Sequence, residues 1–223
     1  MIQLFAEKKD CCGCTACAQV CPCGAIAMRP DEEGFLYPDI DAQRCTGCAV
    51  CLRACAWNNK PDYPQRFAQP LVYAVRHSSD EVRMKSSSGG AFTAFSDAVL
   101  EQGGTVYGAA FDDKMNVVHA RAQTKPERDA LRGSKYVQSN PDGVFSKVSA
   151  DLLAGRQVLF SGTPCQTAGL LGYLGGADTG NLVLCDLVCH GVPSPLMWRE
   201  HLSRLEKALG SPVAAYDFRD KSL

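Results

Sequence analysis

The sequence predicts an α+β head of about sixty residues followed by a larger α/β layered domain. Three observations predict it. Cysteines crowd near the N-terminus, a polar and proline-bearing break follows, and beyond it strand-like and helical runs alternate. The hydrophobic share of 46% is that of a folded globular chain.

The cysteines come first, because ten of the 13 fall between Cys11 and Cys55. The opening MIQLFAEKKD has no secretory pattern, so a cytoplasmic location is expected. A disulfide framework would not persist in a reducing cytosol, and dense cysteines there point to metal. A net charge of −1 offers no basic field for nucleic acid. No apolar run has the length of a membrane span.

Residues 11–22 read CCGCTACAQVCP, so Cys11, Cys14, Cys17 and Cys21 give C-x2-C-x2-C-x3-C with Pro22 next. Residues 45–55 read CTGCAVCLRAC and repeat the spacing with Cys45, Cys48, Cys51 and Cys55. Three thiolates two residues apart can wrap one 4Fe–4S cube, while the fourth, displaced along a short helix, points to the other cube. One cluster is therefore expected on Cys11, Cys14, Cys17 and Cys55, and the second on Cys45, Cys48, Cys51 and Cys21. Small residues such as Gly13, Thr15, Gly47 and Ala49 let backbone N–H groups approach the sulfurs. Zinc would favour two separated C-x2-C pairs. Ala56 stands where the second motif would carry proline, and Cys12 and Cys23 are surplus to eight ligands. Between the motifs, residues 25–41 read as a hairpin with its turn at 30–34.

From 58 to 70 the chain reads NNKPDYPQRFAQP, where Pro61, Pro64 and Pro70 discourage regular structure. Beyond it, strands are expected at 71–77, 157–162, 181–189 (buried) and 212–218, with a hairpin at 105–112 and 116–123. Helices are expected at 89–102, 145–153, 164–174 and 195–209.

Two strand-to-helix junctions carry possible chemistry. In KSSSGGAF (85–92), serines before paired glycines could cradle a phosphate, or could form a plain N-cap with close helix packing. In FSGTPCQTAGL (160–170), Thr163 caps a helix, Pro164 takes its first position, and Cys165 falls in its first turn. The helix dipole there would favour a thiolate, as nucleophile or metal ligand. Cys189 could approach the same end of the sheet. Cys185 reads as a core residue, and His190 as a turn residue.

The stretches SSSGGAFTA (86–94), RGSKYVQS (132–139), FSGTPCQTAGL (160–170) and CDLVCHGVPSP (185–195) resemble the coenzyme F420 hydrogenase/dehydrogenase beta-subunit family over about residues 71–223. The head resembles the ferredoxin module fused before this domain in many members. The resemblance implies FAD, a redox partner protein or subunit, and F420 or another small redox substrate. It implies no acid–base catalytic residue. Ser88, Gly89 and Gly90 would approach the flavin phosphates or ribityl chain, and Gly133, Ser134, Lys135 and Tyr136 would lie against FAD. Cys165 and Cys189 match two ligands of a further 4Fe–4S cluster. The downstream cysteine pair that completes it in relatives has no counterpart after Cys189, and relatives continue past YDFRDKSL, so a C-terminal truncation is expected.

The expected organisation is an α+β ferredoxin-like dicluster domain (1–60), a linker (61–70) and an incomplete α/β flavin-binding-type domain with an N-terminal region (71–155) and a C-terminal region (156–223). The rival from another class is a ferredoxin-type electron carrier without flavin or turnover. A third possibility is flavin-dependent reduction of another metabolite.

Overall fold

The computed structural model describes residues 2–59, 69–219 and 221. The head contains two short helices, α1 (Ala16–Gln19) and α2 (Val50–Ala54), and a hairpin of β1 (Ile26–Pro30) and β2 (Leu36–Ile40). The hairpin runs from Ile26 opposite Ile40 to Pro30 opposite Leu36. Its turn starts one residue later than expected, because Pro30 still belongs to the strand. The Asp31 carboxylate accepts from the N–H groups of Glu33 (3.1 Å) and Phe35 (2.9 Å), and Gly34 takes the left-handed φ of +85° that closes the turn. The head's own core centres on Leu4, Ile26 and Cys51, with Cys17 and Cys21 packed against it. So small an apolar core needs help from elsewhere.

The larger part comprises α3 (Asp80–Met84), α4 (Ala91–Glu101), β3 (Thr105–Phe111), β4 (Val117–Ala122), α5 (Lys125–Asp129), α6 (Val144–Leu153), β5 (Val158–Gly162), α7 (Pro164–Leu174), β6 (Leu182–Asp186) and α8 (Pro195–Leu209). The sheet order is β4-β3-β5-β6. β3 and β4 are antiparallel, as their short connection demands, while β3–β5 and β5–β6 are parallel through helical crossovers. Side-chain alternation covers both faces. Val106, Ala110 and Leu159 pack with Val99 of α4, whereas Tyr107, Val158 and Phe160 pack with Phe145 and Val148 of α6 and Leu170 of α7.

Three strand expectations are corrected. Residues 71–77 form no strand; Leu71, Val72, Tyr73 and Val75 are exposed, and the segment's regular partner is a single bond from His77 N–H to Gly89 O (2.7 Å). Residues 212–218 form no strand either. Val213, Tyr216 and Phe218 pack onto the cluster of Val117 and Trp198, so side-chain packing rather than a ladder holds them. β6 is shorter than 181–189 and only partly buried, because it is the outer strand with one neighbour. Two helices went unpredicted, although both carry caps: Ser79 accepts from Val82 N–H before α3, and Thr124 and Glu127 form a capping box around α5. The expected linker falls mostly on 60–68, outside the described residues, while Gln69 and Pro70 are exposed and irregular.

Two buried polar groups lock the sheet. Asp151 accepts from Tyr107 Oη (2.6 Å), Arg121 and Arg156. Burial opposes its charge, but these donors outweigh it and hold the carboxyl well below the usual range. His119 stacks on Phe160 and bonds Ser139 Oγ (3.1 Å) and Ser161 O (3.2 Å). Burial lowers its pKa to about 4, so it is neutral at pH 7.

The head is pressed directly onto α7. A Cβ built on Gly172 would lie 2.1 Å from Ala54 O of α2, and one on Gly169 would lie 3.0 Å from Cys14 Sγ. Gln19 of α1 donates to Pro141 O (3.0 Å) and accepts from Phe145 N–H (3.0 Å). Ala16 itself belongs to the main core beneath the sheet.

Candidate metal centres and the adjoining groove

The sequence repeat is reproduced in the backbone. Gly13 and Gly47 have φ of +65° and +70°, and two residues later Thr15 and Ala49 have φ of +67° and +58°. For Thr15 and Ala49, which carry Cβ atoms, this left-handed conformation costs about 1–2 kcal/mol each. Thr15 is held there by burial and by Gln19, which donates to its Oγ1 at 2.6 Å. Each such turn leads straight into its helix, α1 or α2. Strain repeated at equivalent positions indicates a function that both loops share.

The loops aim their sulfurs inward. Cys11, Cys14, Cys17 and Cys55 all line one cavity, closed by apolar groups including Leu4, Phe5 and Trp57. Burial pushes the Cys17 thiol up to about 12, and the nearby Cys11 and Cys55 add to the shift. Cys11 is raised by burial, opposed by the Gly13 N–H. At the second motif Cys51 is raised by burial, with the Leu52 N–H opposing and Cys21 and Cys48 close by. Ala25 N–H donates to Cys21 Sγ at 3.3 Å. So the structure brings Cys55 to Cys11 and Cys17, and Cys21 to Cys48 and Cys51. Cys45 is half-buried and Cys48 exposed.

This donor set fits iron–sulfur cubes. Sulfurs crowded out of water resist ionisation as thiols, and iron supplies the positive charge that makes them thiolates. The four first-site sulfurs surround a space. Among the described residues no three His, Cys, Asp or Glu side chains converge tightly enough for a single metal ion. Of the surplus cysteines, Cys23 lies 4.0 Å from Cys21 Sγ and 3.8 Å from Thr46 Oγ1.

The other candidate residues gather elsewhere. Gly133, Ser134 and Lys135 line a groove with Phe111, Asp217 and Phe218. It holds about 790 Å3, inside the ~300–1,000 Å3 typical of small-molecule sites. Lys135 Nζ donates to Ala130 O (3.0 Å) and Arg132 O (2.8 Å) and lies 6.0 Å from the Phe111 ring centre. Burial lowers its pKa to about 8, with Asp217 opposing. Tyr136 is exposed, its ring edge-on to Phe218. Ser134 N–H donates to Ser87 Oγ at 2.8 Å, which joins this loop to the serine-glycine segment. Ser88 is exposed and its carbonyl accepts from Lys221. The two glycines have a packing reason: a Cβ on Gly89 would meet Val75 O at 2.7 Å, and Gly90, at φ +86°, fits against His77.

Thr163 begins α7 as expected, giving its N–H and hydroxyl to Gln166 Oε1, both at 3.0 Å. The expected thiolate character of Cys165 is overturned. The neighbouring Cys12 thiol and burial push it up, and the Thr163 hydroxyl at 3.1 Å only partly opposes them. Cys189 is exposed and its thiol accepts from Gly191 N–H at 3.4 Å. Cys185 packs on the Val106–Leu159 cluster, as a core residue should, and His190 is exposed. What sequence reasoning missed is Cys12, set aside as surplus, which meets Cys165; only its unusual adjacency to Cys11 could have drawn notice.

Among the described residues no helix is long and apolar enough to cross a membrane. The family model for a 4Fe-4S dicluster domain matches residues 10–59. An uncharacterised ferredoxin of Methanocaldococcus jannaschii is 32% identical over 57 residues, which cover 26% of this chain and 73% of that ferredoxin. Among solved structures, a chain of the xenon-derivatised F420-reducing NiFe hydrogenase complex from Methanosarcina barkeri has 23% identity and a TM-score of 0.46, over 59% of this chain and 47% of that one. The present chain thus spans about half of that neighbour. Through residues 10–59 the chain belongs to the 4Fe-4S dicluster ferredoxins, which are iron–sulfur electron-transfer proteins.

Proposed function

We propose that the chain moves electrons between a redox partner and a flavin, through two 4Fe–4S clusters in the head. Cys11, Cys14, Cys17 and Cys55 hold one cluster, and Cys45, Cys48, Cys51 and Cys21 the other. The observation that carries this is the repeated left-handed pair, Gly13/Thr15 and Gly47/Ala49, which turns backbone and sulfurs toward two equivalent centres. The protein's part is to hold the sulfurs, exclude water with Leu4 and Phe5, and set potentials through N–H groups such as those of Gly13 and Ala25.

The groove at Gly133, Ser134 and Lys135 is our candidate site for FAD, supported by its size and its aromatic wall. The bond from Ser134 to Ser87 makes the two resembling segments one place, and Ser88, Gly89 and Gly90 border it. Lys135 suits an anionic part of the cofactor, provided its amine exchanges carbonyl partners for the ligand. When bound, FAD supplies the exchange between paired and single electrons, and the family resemblance points to an F420-like hydride carrier on the two-electron side. Contact between Cys14 and Gly169 offers the shortest protein path from head to sheet. For a third cluster, Cys165 and Cys189 supply two thiols and no step is routed through them. The expected site of action is the cytoplasm.

Anaerobic reconstitution tests this. About eight irons per chain are expected, together with retention of a yellow cofactor that reduced F420 bleaches. A colourless, iron-poor protein would refute the clusters. Brown protein that takes up no flavin would leave the carrier role alone.

A further inference from the structure

The main functional proposal leaves two cysteines unused, and the structure puts them together. Cys12 lies in the loop between two proposed ligands of the first cluster, and Cys165 in the first turn of α7. Their thiols are within hydrogen-bonding reach of each other, and Cys12 also touches Cys14. A second line of geometry agrees. Gly169 lies one helical turn beyond Cys165 on the same face of α7, and it is Gly169 that abuts Cys14 Sγ and Cβ, at 3.0 and 3.1 Å. That face of α7 therefore runs along the first-cluster loop. Thr163 Oγ1, 3.1 Å from Cys165 Sγ, adds a hydroxyl partner. Cys12 also lines the cavity shared by the four first-site sulfurs.

We propose that Cys12 and Cys165 are a redox-active pair, forming a reversible disulfide between the head and α7 that electrons from the neighbouring cluster reduce. The inference rests on the clusters proposed above. In the reducing direction the S–S bond breaks, two electrons arrive singly through the clusters from an external one-electron donor, and two protons from water complete two thiols. In the oxidising direction the two thiols lose two protons and return two electrons by the same route. The pair thus stores two electrons beside a one-electron centre, and its oxidised form ties the two parts of the chain covalently.

The test uses the whole reconstituted protein under anaerobic conditions. One sample is oxidised with stoichiometric diamide, its twin is reduced with titanium(III) citrate, and iron is measured in both. Denaturation with N-ethylmaleimide and peptide mapping should show a Cys12–Cys165 linked peptide in the first and two alkylated thiols in the second. In reductive titration the wild type should take up about two electrons more per chain than Cys165→Ser or Cys12→Ser, with iron content unchanged in both variants. Equal uptake, or two free thiols after oxidation, overturns the proposal. So does loss of iron in Cys165→Ser, which would make that residue a cluster ligand. A chain without iron would instead defeat the cluster assignment, and the linked peptide could still be sought in it after diamide treatment.

Discussion

Cys14 of the head sits against Gly169 of α7 with no room for a methyl group, which would stand 3.0 Å from Sγ and 3.1 Å from the cysteine's Cβ. Alanine would gain helix propensity there, about 1 kcal/mol, but the atoms it meets include a Cβ that cannot swing aside. Gly172 is tighter, since its neighbour is the backbone carbonyl of Ala54 at 2.1 Å. Gly172→Ala is expected to destabilise by about 2–3 kcal/mol, and Gly169→Ala by less. Denaturant midpoints at matched iron content check the order.

Exchange of fourth ligands makes a specific prediction. Cys55 is a neighbour of Cys11 and Cys17, although it belongs to the other motif. Cys55→Ala should therefore perturb the same cluster signal as Cys11→Ala, and Cys21→Ala the same signal as Cys51→Ala. Paramagnetic resonance of the reduced variants distinguishes the two centres. Cys23→Ser, outside both ligand sets, should keep about eight irons.

Buried His119 gives the fold an acid sensitivity of known sign. Its pKa is lowered from 6.5 to about 4 by burial, so between those values the unfolded chain takes up a proton that the folded chain refuses. Stability from this group is complete above about pH 6.5 and declines as pH falls toward 4, by up to about 3 kcal/mol. His119→Gln should flatten the fall of the denaturation midpoint over that window. An unchanged slope would show that other groups produce it.

Lys135 ties the groove to charge. If the groove takes FAD, Lys135→Gln should weaken flavin binding by about tenfold or more, the usual worth of a charge-assisted hydrogen bond, with iron content unchanged. Flavin fluorescence quenching measures it. Asp217→Asn, which removes the competing carboxylate near Lys135, should act in the opposite direction.

Much of this was legible in sequence because the signals were local. Cysteine spacing marked the head, and caps and alternation marked β3, β4, α6, α7 and α8. The strands expected at 71–77 and 212–218 failed for a shared reason: an apolar alternating run needs a partner edge, and periodicity does not say whether one exists. Gly89 and Gly90 looked like a phosphate cradle, yet their φ angles and contacts are also explained by the packing of 75–77.

By itself the sequence determined that two equivalent cysteine loops exist and which residue types they carry, since a tight turn followed by a helix is set within about ten residues. Only the tertiary structure decided that Cys12 meets Cys165, that Cys14 rests on Gly169, and that Ser87 joins Ser134. Those contacts join residues 47 to 155 positions apart, and they depend on how helices and loops pack, which no local pattern encodes.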